Sequence, residues 1–140
     1  MAGSVRTPQD SPRTTLQEWS LERSDELPGT SLEYPFGPDF RVFRVRGKMF
    51  MAHTEMTGAP IVILKARPAD GTVLREAYAE ITPGYHMNKR HWITLNPGGR
   101  LELDRQLVED LVTESYLLVV EGLPRALRPV DPDTFGQPAG

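Results

Sequence analysis

The amino-acid sequence predicts a single α+β domain, in which a mainly antiparallel sheet of four or five strands carries an N-terminal and a C-terminal helix. Three observations lead to this fold class. Apolar and polar residues alternate with a period of two over residues 41–46, as in half-buried strands. Residues 104–121 instead repeat apolar side chains at helical spacing. The chain has 140 residues and no internal repeat, which fits one domain.

The predicted order is α-β-β-β-α-β(β)-α, and the first helix begins at Thr15. Thr15 and Glu18 fit a capping box, in which two side chains satisfy backbone donors of the first turn. Leu16 and Trp19 are its expected buried anchors, and Pro28 ends the helix.

Residues 32–38 contain two prolines, one glycine and two aromatic residues, and they are predicted to form a stiff loop. Residues 41–46, 48–53 and 61–66 follow as three strands, with Gly47 at the first turn. Their short connections predict an antiparallel meander.

The second half of the chain adds a helix, one or two strands and a final helix. Asp70 or Thr72 is the expected cap of a helix that runs to about Glu80. A bend is predicted at 88–90, because extending the strand that holds Ile93 backwards would bury charged side chains.

The last helix has the clearest boundaries in the sequence. Asp104 is its predicted N-cap, with Leu103 and Val108 as a hydrophobic staple, and Gly122 ends it.

Composition excludes several classes of function. The chain has no cysteine, which excludes disulfides, thiol nucleophiles and cysteine metal sites. It lacks the apolar run of a signal peptide or a membrane span, so a cytoplasmic protein without membrane contact is expected. Residues 1–13 and 129–140 are predicted to be flexible tails around a domain at 14–128.

The net charge of −3 means that any nucleic-acid site requires a local basic patch. The alternation of residues 41–46 places Phe43 and Val45 on one face and Arg44 and Arg46 on the other. With Lys48 across the turn, these arginines predict a cationic stripe that contacts phosphates. The alternative is an ordinary solvated strand face.

A second basic cluster includes an aromatic residue, which suits nucleic acid because cations contact phosphates while the aromatic ring stacks on a base. The cluster comprises His86, Asn88, Lys89, Arg90, His91 and Trp92. The alternative is that Trp92 belongs to the core and that Lys89 and Arg90 form a solvated turn.

No catalytic or metal-binding pattern is present. Ser115 lies in a predicted helix without the glycine-rich surroundings of a nucleophile elbow. His86 and His91 have no supporting carboxylate and no metal-ligand spacing, and His53 lies on another strand. We therefore expect a protein that is not an enzyme and that has no cofactor and no metal.

Several segments together resemble one family. YPFGP at 34–38, VFRV at 42–45, GKMF at 47–50 and ITPGYHMNKRHW at 81–92 are similar to MmcQ/YjbR proteins, and the resemblance covers residues 27–127. It implies a CyaY-like fold with helices on one side of an antiparallel sheet. It also implies DNA binding, the usual label of the family.

DNA binding is therefore the leading hypothesis, and the acidic net charge predicts that it is weak, salt-sensitive and directed at phosphates. Lys89 and Arg90 are expected to contact phosphate, and Trp92 or His86 a base or sugar. Three further cations extend the patch: Arg44, Arg46 and Lys48.

The alternative is a non-enzymatic module that binds a small anionic ligand or a protein partner through the 85–92 loop. Its pocket is predicted to be lined by Tyr34, Tyr85, His86, Arg90 and Trp92. DNA binding requires both basic clusters on one face, whereas the pocket requires the two loops to converge. A monomer is the default expectation in either case.

Overall fold

A computed structural model describes residues 15–56, 58–97 and 103–136. The predicted N-terminal tail, residues 1–13, lies outside these ranges. Within them, six strands form one antiparallel sheet in the order β1-β2-β3-β4-β6-β5. The elements are α1 (Thr15–Asp25), β1 (Thr30–Glu33), β2 (Arg41–Val45), β3 (Lys48–Met56), β4 (Ala59–Lys65), α2 (Pro68–Ala77), β5 (Ile81–Pro83), β6 (Trp92–Leu95), α3 (Arg105–Glu121) and a 3-10 helix (Arg125–Leu127).

The α+β class and the antiparallel sheet are confirmed, but the sheet has six strands rather than four or five. The first additional strand is β1, part of which was predicted to be loop. β1 pairs antiparallel with β2 alone, so it is an edge strand of the sheet. Pro35, which follows β1, therefore removes no hydrogen bond between interior strands. The second is β5, a strand of three residues that pairs with β6.

The two faces of the sheet are covered differently. We call the side against α1 and α3 the helix face, which holds the large core cluster that includes Leu16, Phe50 and Tyr116. We call the other side the loop face. There Ala52, Ile61 and Ile63 are fully buried, and their covering residues are partly buried: Phe40, Met49, Tyr85, Met87 and Trp92.

Polar groups buried on the helix face bond to the sheet. The Gln17 Nε2 amide donates to the carbonyl oxygens of Thr54 and Ile61 at 3.2 and 3.1 Å. The Ser115 hydroxyl donates to the Phe50 carbonyl at 2.5 Å and accepts from the Lys65 amide at 2.8 Å. Ser115 therefore joins the ends of β3 and β4.

The helix boundaries confirm some predictions and correct others. Asp104 caps α3, because its carboxylate accepts a hydrogen bond from the Leu107 amide at 2.8 Å. In α2 the N-cap is Arg67, so neither Asp70 nor Thr72 caps this helix, and it ends at Ala77. The helix begins at Pro68, before both predicted caps. Proline is tolerated in the first turn of a helix because the amide N–H that it lacks has no intrahelical partner there.

Part of the predicted C-terminal tail packs on the domain. Val130 and Phe135 contact the helix-face core, and the Phe135 ring centroid lies 6.1 Å from that of Tyr116. Among the helices in the described ranges, none has both the length and the apolar character needed to cross a bilayer.

Candidate functional site

The 85–92 loop leaves β5, crosses part of the loop face and returns as β6. Thr94 on β6 holds its first residue, since the Thr94 hydroxyl accepts from the Tyr85 amide at 2.9 Å and donates to the Pro83 carbonyl at 3.0 Å. The Gly84 amide donates to the Trp92 carbonyl at 2.9 Å. Both ends of the loop are therefore fixed to the sheet.

Gly84 allows this close approach. A Cβ atom at position 84 would lie 2.6 Å from the Trp92 Cβ and 3.0 Å from its carbonyl oxygen. Neither atom belongs to the flexible end of a side chain, so any larger residue at position 84 would displace the loop. Gly84 and Thr94 position the candidate site. The sequence indicated only a turn at Gly84 and a strand at Thr94.

The bend predicted at 88–90 is confirmed. The Asn88 side-chain oxygen accepts from the Arg90 amide at 2.9 Å, a local turn typical of asparagine. The Asn88 carbonyl accepts from the Trp92 amide at 3.1 Å. These bonds leave the side chains of Lys89, Arg90 and His91 outside the core.

Lys89 has a structural contact within the loop. Its ammonium donates to the Gly84 carbonyl at 2.8 Å, which braces the loop across its base. Arg90 and His91 are exposed. The guanidinium of Arg90 therefore lies on the outside of the loop. The ammonium of Lys89 is charged as well, but it also stabilises the loop through its hydrogen bond to Gly84.

His86 adopts a left-handed backbone conformation, with a φ of 59°. Such a conformation costs a residue other than glycine on the order of 1 kcal/mol. The His86 ring is exposed, and its centroid lies 4.0 Å from that of Tyr85. The strained backbone places an imidazole on the outer surface of the loop.

Lys65 belongs to the site, although its role was not predicted. It pairs with Trp92 across β4 and β6, and its ammonium lies 5.8 Å from the centroid of the Trp92 ring. The alternation of β4 gives a signal for this placement, since Lys65 shares the loop face with the buried Ile63. Trp92 is half-buried, so it contributes to the cover of the loop face while the residue keeps some contact with solvent.

The first basic cluster divides between the two faces. Arg44 lies on the loop face, where its Nε donates to the Glu33 carboxylate at 2.8 Å. Arg46 has a φ of 50° in the turn before Gly47, and its Nε donates to the Leu127 carbonyl at 3.0 Å. The prediction that Arg44 and Arg46 share one face is therefore wrong, because the turn redirects Arg46 towards the helix side.

The remaining basic residues lie at one end of the sheet. Lys48 begins β3 and Lys65 ends β4, so antiparallel pairing places both at one end of the sheet. Lys48 pairs with Val45 of the helix-face core, so its side chain lies on the helix side of that end. Trp92 begins β6 opposite Lys65. Two strand spacings of about 4.8 Å separate β3 from β6, a distance of about 10 Å. We call this surface the cationic end, formed by Arg44, Lys48, Lys65, Arg90, His91 and Trp92.

The predicted ligand pocket is assembled only in part. Tyr34 lines an open cleft with Gly37, Pro38 and Arg41. Phe40, which follows the Tyr34 loop, packs on the same buried loop-face cluster as Tyr85 and Trp92. Phe40 also contacts Phe36, with ring centroids 5.6 Å apart. The two segments therefore cover the same face of the sheet, but among the described residues Tyr34 lines a cleft that contains no residue of the 85–92 loop.

Comparisons with known proteins give a consistent result. A family model described as YjbR matches residues 25–118. The uncharacterized protein YbdF of Escherichia coli O157:H7 is 42% identical over 111 residues, which cover 79% of this chain and 89% of that protein. The uncharacterized protein YjbR of Escherichia coli K12 is 34% identical over 85 residues, which cover 61% of this chain and 70% of that protein.

Solved structures share the fold. The crystal structure of Deinococcus radiodurans protein DR2400, described as a DUF419 domain, superposes with a TM-score of 0.68 at 34% identity, covering 76% of this chain and 80% of that one. A crystal structure of a Pseudomonas syringae protein superposes with a TM-score of 0.63 at 25% identity, covering 73% and 97%.

Proposed function

The chain belongs to the YjbR family, and from that premise we propose that it binds nucleic acid weakly, through phosphate contacts at the cationic end of its sheet. One observation carries the proposal: the strand register brings Lys65 and Trp92 together, at the end of the sheet where Lys48 lies. The relatives named above are uncharacterized proteins, so the support comes from this geometry and from the label that the family resemblance implies.

The cations of this surface suit phosphate in different ways. Arg90 offers a planar guanidinium that binds two phosphate oxygens at once. Lys48 and Lys65 act as point charges that release counterions from the phosphate backbone. Their positions along one sheet end match the extended path of a nucleic-acid strand better than a single anion would.

Single-stranded nucleic acid suits the surface better than duplex. The helices α1 and α3 pack on the opposite face, so neither is offered beside the cationic end for insertion into a major groove. An unpaired base can instead reach Trp92 and stack on its ring. His86, on the outer surface of the same loop, is a second candidate for a base or sugar contact.

The charge balance predicts low affinity. The whole chain carries a net charge of −3, and Glu33 lies beside Arg44 at 2.8 Å. Both features repel phosphate, so binding should be measurable at low salt and should fall steeply as salt rises. The proposed role is binding and not catalysis.

Fluorescence anisotropy of labelled single-stranded and duplex oligonucleotides tests the proposal, at about 50 mM and about 200 mM salt. We expect tighter binding of the single strand by the wild type. The double variant Lys48→Ala/Arg90→Ala should weaken that binding about tenfold and should reduce the slope of log affinity against log salt by about 1.4.

The matched control is Arg75→Ala/Arg125→Ala, which removes the same charge from α2 and from the 3-10 helix. It should retain most of the affinity. Equal losses in the two double variants would show attraction by overall charge alone. No binding at low salt would reject the proposal and would favour the small anionic ligand.

A further inference from the structure

A separate cleft lies between α2 and α3, with a volume of ≈ 370 Å³. Its apolar lining combines Ala66, Leu74 and Leu111 with Val73. Val73 is 62% exposed, so its side chain is open to contact from outside the domain. Leu74 and Leu111 are partly buried and join this surface to the core.

Acidic side chains form most of the remaining lining. Asp70 stands on α2, and Asp110 and Glu114 stand one helical turn apart on α3. Lys65 is the one cation among the described residues that line the cleft. Its ammonium lies over the Trp92 ring on the loop face, 5.8 Å from the ring centroid.

These carboxylates are not neutralised by neighbours within the described ranges. The ion pair between α3 and the start of α2 joins Arg67 to Glu121 at 3.3 Å, and Asp110 accepts a hydrogen bond from the neutral Gln106 amide at 2.8 Å. Among the described residues, no arginine or lysine forms an ion pair with Asp70, Asp110 or Glu114. The cleft therefore combines an apolar lining with a negative rim.

We propose that this cleft is a docking site for a basic amphipathic segment of a partner protein. Apolar anchors of such a segment would pack on Val73 and Leu111, and its lysines or arginines would face Asp110 and Glu114. This is the arrangement by which an amphipathic helix binds in a groove, and complementary charge selects the partner. The volume is near the lower end of the range for binding clefts, about 300–1,000 Å³, which suits anchor side chains.

The cleft and the cationic end share Lys65, whose ammonium lies over the Trp92 ring. A basic segment is repelled by the cationic end and attracted by the α2–α3 rim, so a single protein can hold both partners at once. Variants of the rim should therefore leave oligonucleotide binding unchanged or slightly strengthened, since they remove negative charge.

The test uses a fluorescein-labelled helical peptide of leucine, lysine and alanine, with all leucines on one face. Its counterpart carries glutamate in place of every lysine. The lysine peptide should bind the full chain in fluorescence anisotropy, and the glutamate peptide should not. Failure of the lysine peptide to bind would overturn the proposal.

Two variants locate the binding site. Val73→Ser removes the exposed anchor contact, and Asp110→Asn/Glu114→Gln removes two rim charges. Each should weaken the lysine peptide about tenfold. The control Asp25→Asn/Glu55→Gln removes the same charge from exposed carboxylates elsewhere and should leave affinity within about twofold of the wild type, a difference below about 0.5 kcal/mol.

Equal weakening in the rim variant and its control would overturn the proposal, because it would show non-specific attraction. Thermal melts of each variant check that folding is retained, which is expected because Val73, Asp110 and Glu114 are all exposed. Amide chemical shifts give a second measurement: those of residues 66–74 and 110–114 should move on peptide addition. Shifts confined to other regions would also contradict the proposal.

Discussion

The helix face and the loop face of the sheet differ in the elements that cover them and in how completely their side chains are buried. On the helix face, two long helices bury a large apolar cluster, and buried polar atoms such as the Ser115 hydroxyl bond to the sheet. On the loop face, a small cluster formed by Ala52, Ile61 and Ile63 lies beneath partly exposed side chains such as Trp92. Stability thus resides mainly on one face, and the other presents charged and aromatic groups at little cost to the fold.

The largest expected effect tests this division of stability. Phe50 is fully buried on the helix face, with its ring centroid 5.6 Å from that of Tyr116. Phe50→Ala should lower the free energy of unfolding by about 3–5 kcal/mol in urea denaturation. Trp92→Ala on the loop face should cost less than half as much, because Trp92 is only half-buried. Equal costs would remove the distinction between the faces.

A smaller effect is expected at the polar bridge to the helix face. Ser115→Ala leaves the Phe50 carbonyl and the Lys65 amide without their buried partner, and we expect a loss of about 1–3 kcal/mol in urea denaturation. Thr113→Ala is the matched control, since the Thr113 hydroxyl bonds to the Glu109 carbonyl of its own helix. That control should change stability by less than about 0.5 kcal/mol.

A comparable effect is expected where the loop meets the sheet. Gly84→Ala introduces a Cβ atom 2.6 Å from the Trp92 Cβ, and relieving this overlap should cost about 1–3 kcal/mol. Thermal unfolding measures the cost, and weaker oligonucleotide binding should accompany it. Gly122→Ala is the control, because its new Cβ would make an ordinary 3.5 Å contact. If both variants behave alike, the loop is not held as described.

The smallest effect concerns the ion pairs on the outside of the helix layer. Hydrogen bonds from Arg105 and then Arg23 hold the pKa of the Glu109 carboxyl below its ordinary value of 4.5. Because the unfolded chain takes up this proton first, the contribution of Glu109 to stability is present above about pH 4.5 and is lost as pH falls through the lowered pKa.

Glu109→Gln should therefore flatten the acid side of the stability curve slightly and should leave the loop face unaffected. Thermal melts between about pH 3 and about pH 7 measure this effect. A variant curve that keeps the full acid dependence of the wild type would show that other carboxylates carry it.

The sequence predicted the elements whose signals are local. The capping aspartate of α3, the bend at Asn88 and the strand β2 each depend on a few adjacent residues, and all three are present. The edge strand β1 was not predicted, because it has four residues, is largely exposed and precedes a proline-rich stretch. Its pairing depends on β2, which the sequence of β1 alone does not reveal.

The site was harder to predict than the fold, since its contacts join distant segments. Alternation placed Arg46 beside Arg44, but a positive φ in the turn directs Arg46 towards Leu127. The contact of Lys65 with Trp92 depends on the β4–β6 register, which links residues 27 positions apart (92 − 65). The Glu33 partner of Arg44 likewise requires the unpredicted strand.

The most direct test of the nucleic-acid proposal observes Trp92 itself. The chain has two tryptophans, so the conservative variant Trp19→Phe leaves Trp92 as the sole tryptophan fluorophore. Titration with a thymidine oligonucleotide at low salt should quench its emission as a base stacks on the ring. Added salt should restore the emission as the phosphate contacts are lost. An emission that stays constant, whether the oligonucleotide binds elsewhere or not at all, would contradict a nucleic-acid site at the cationic end.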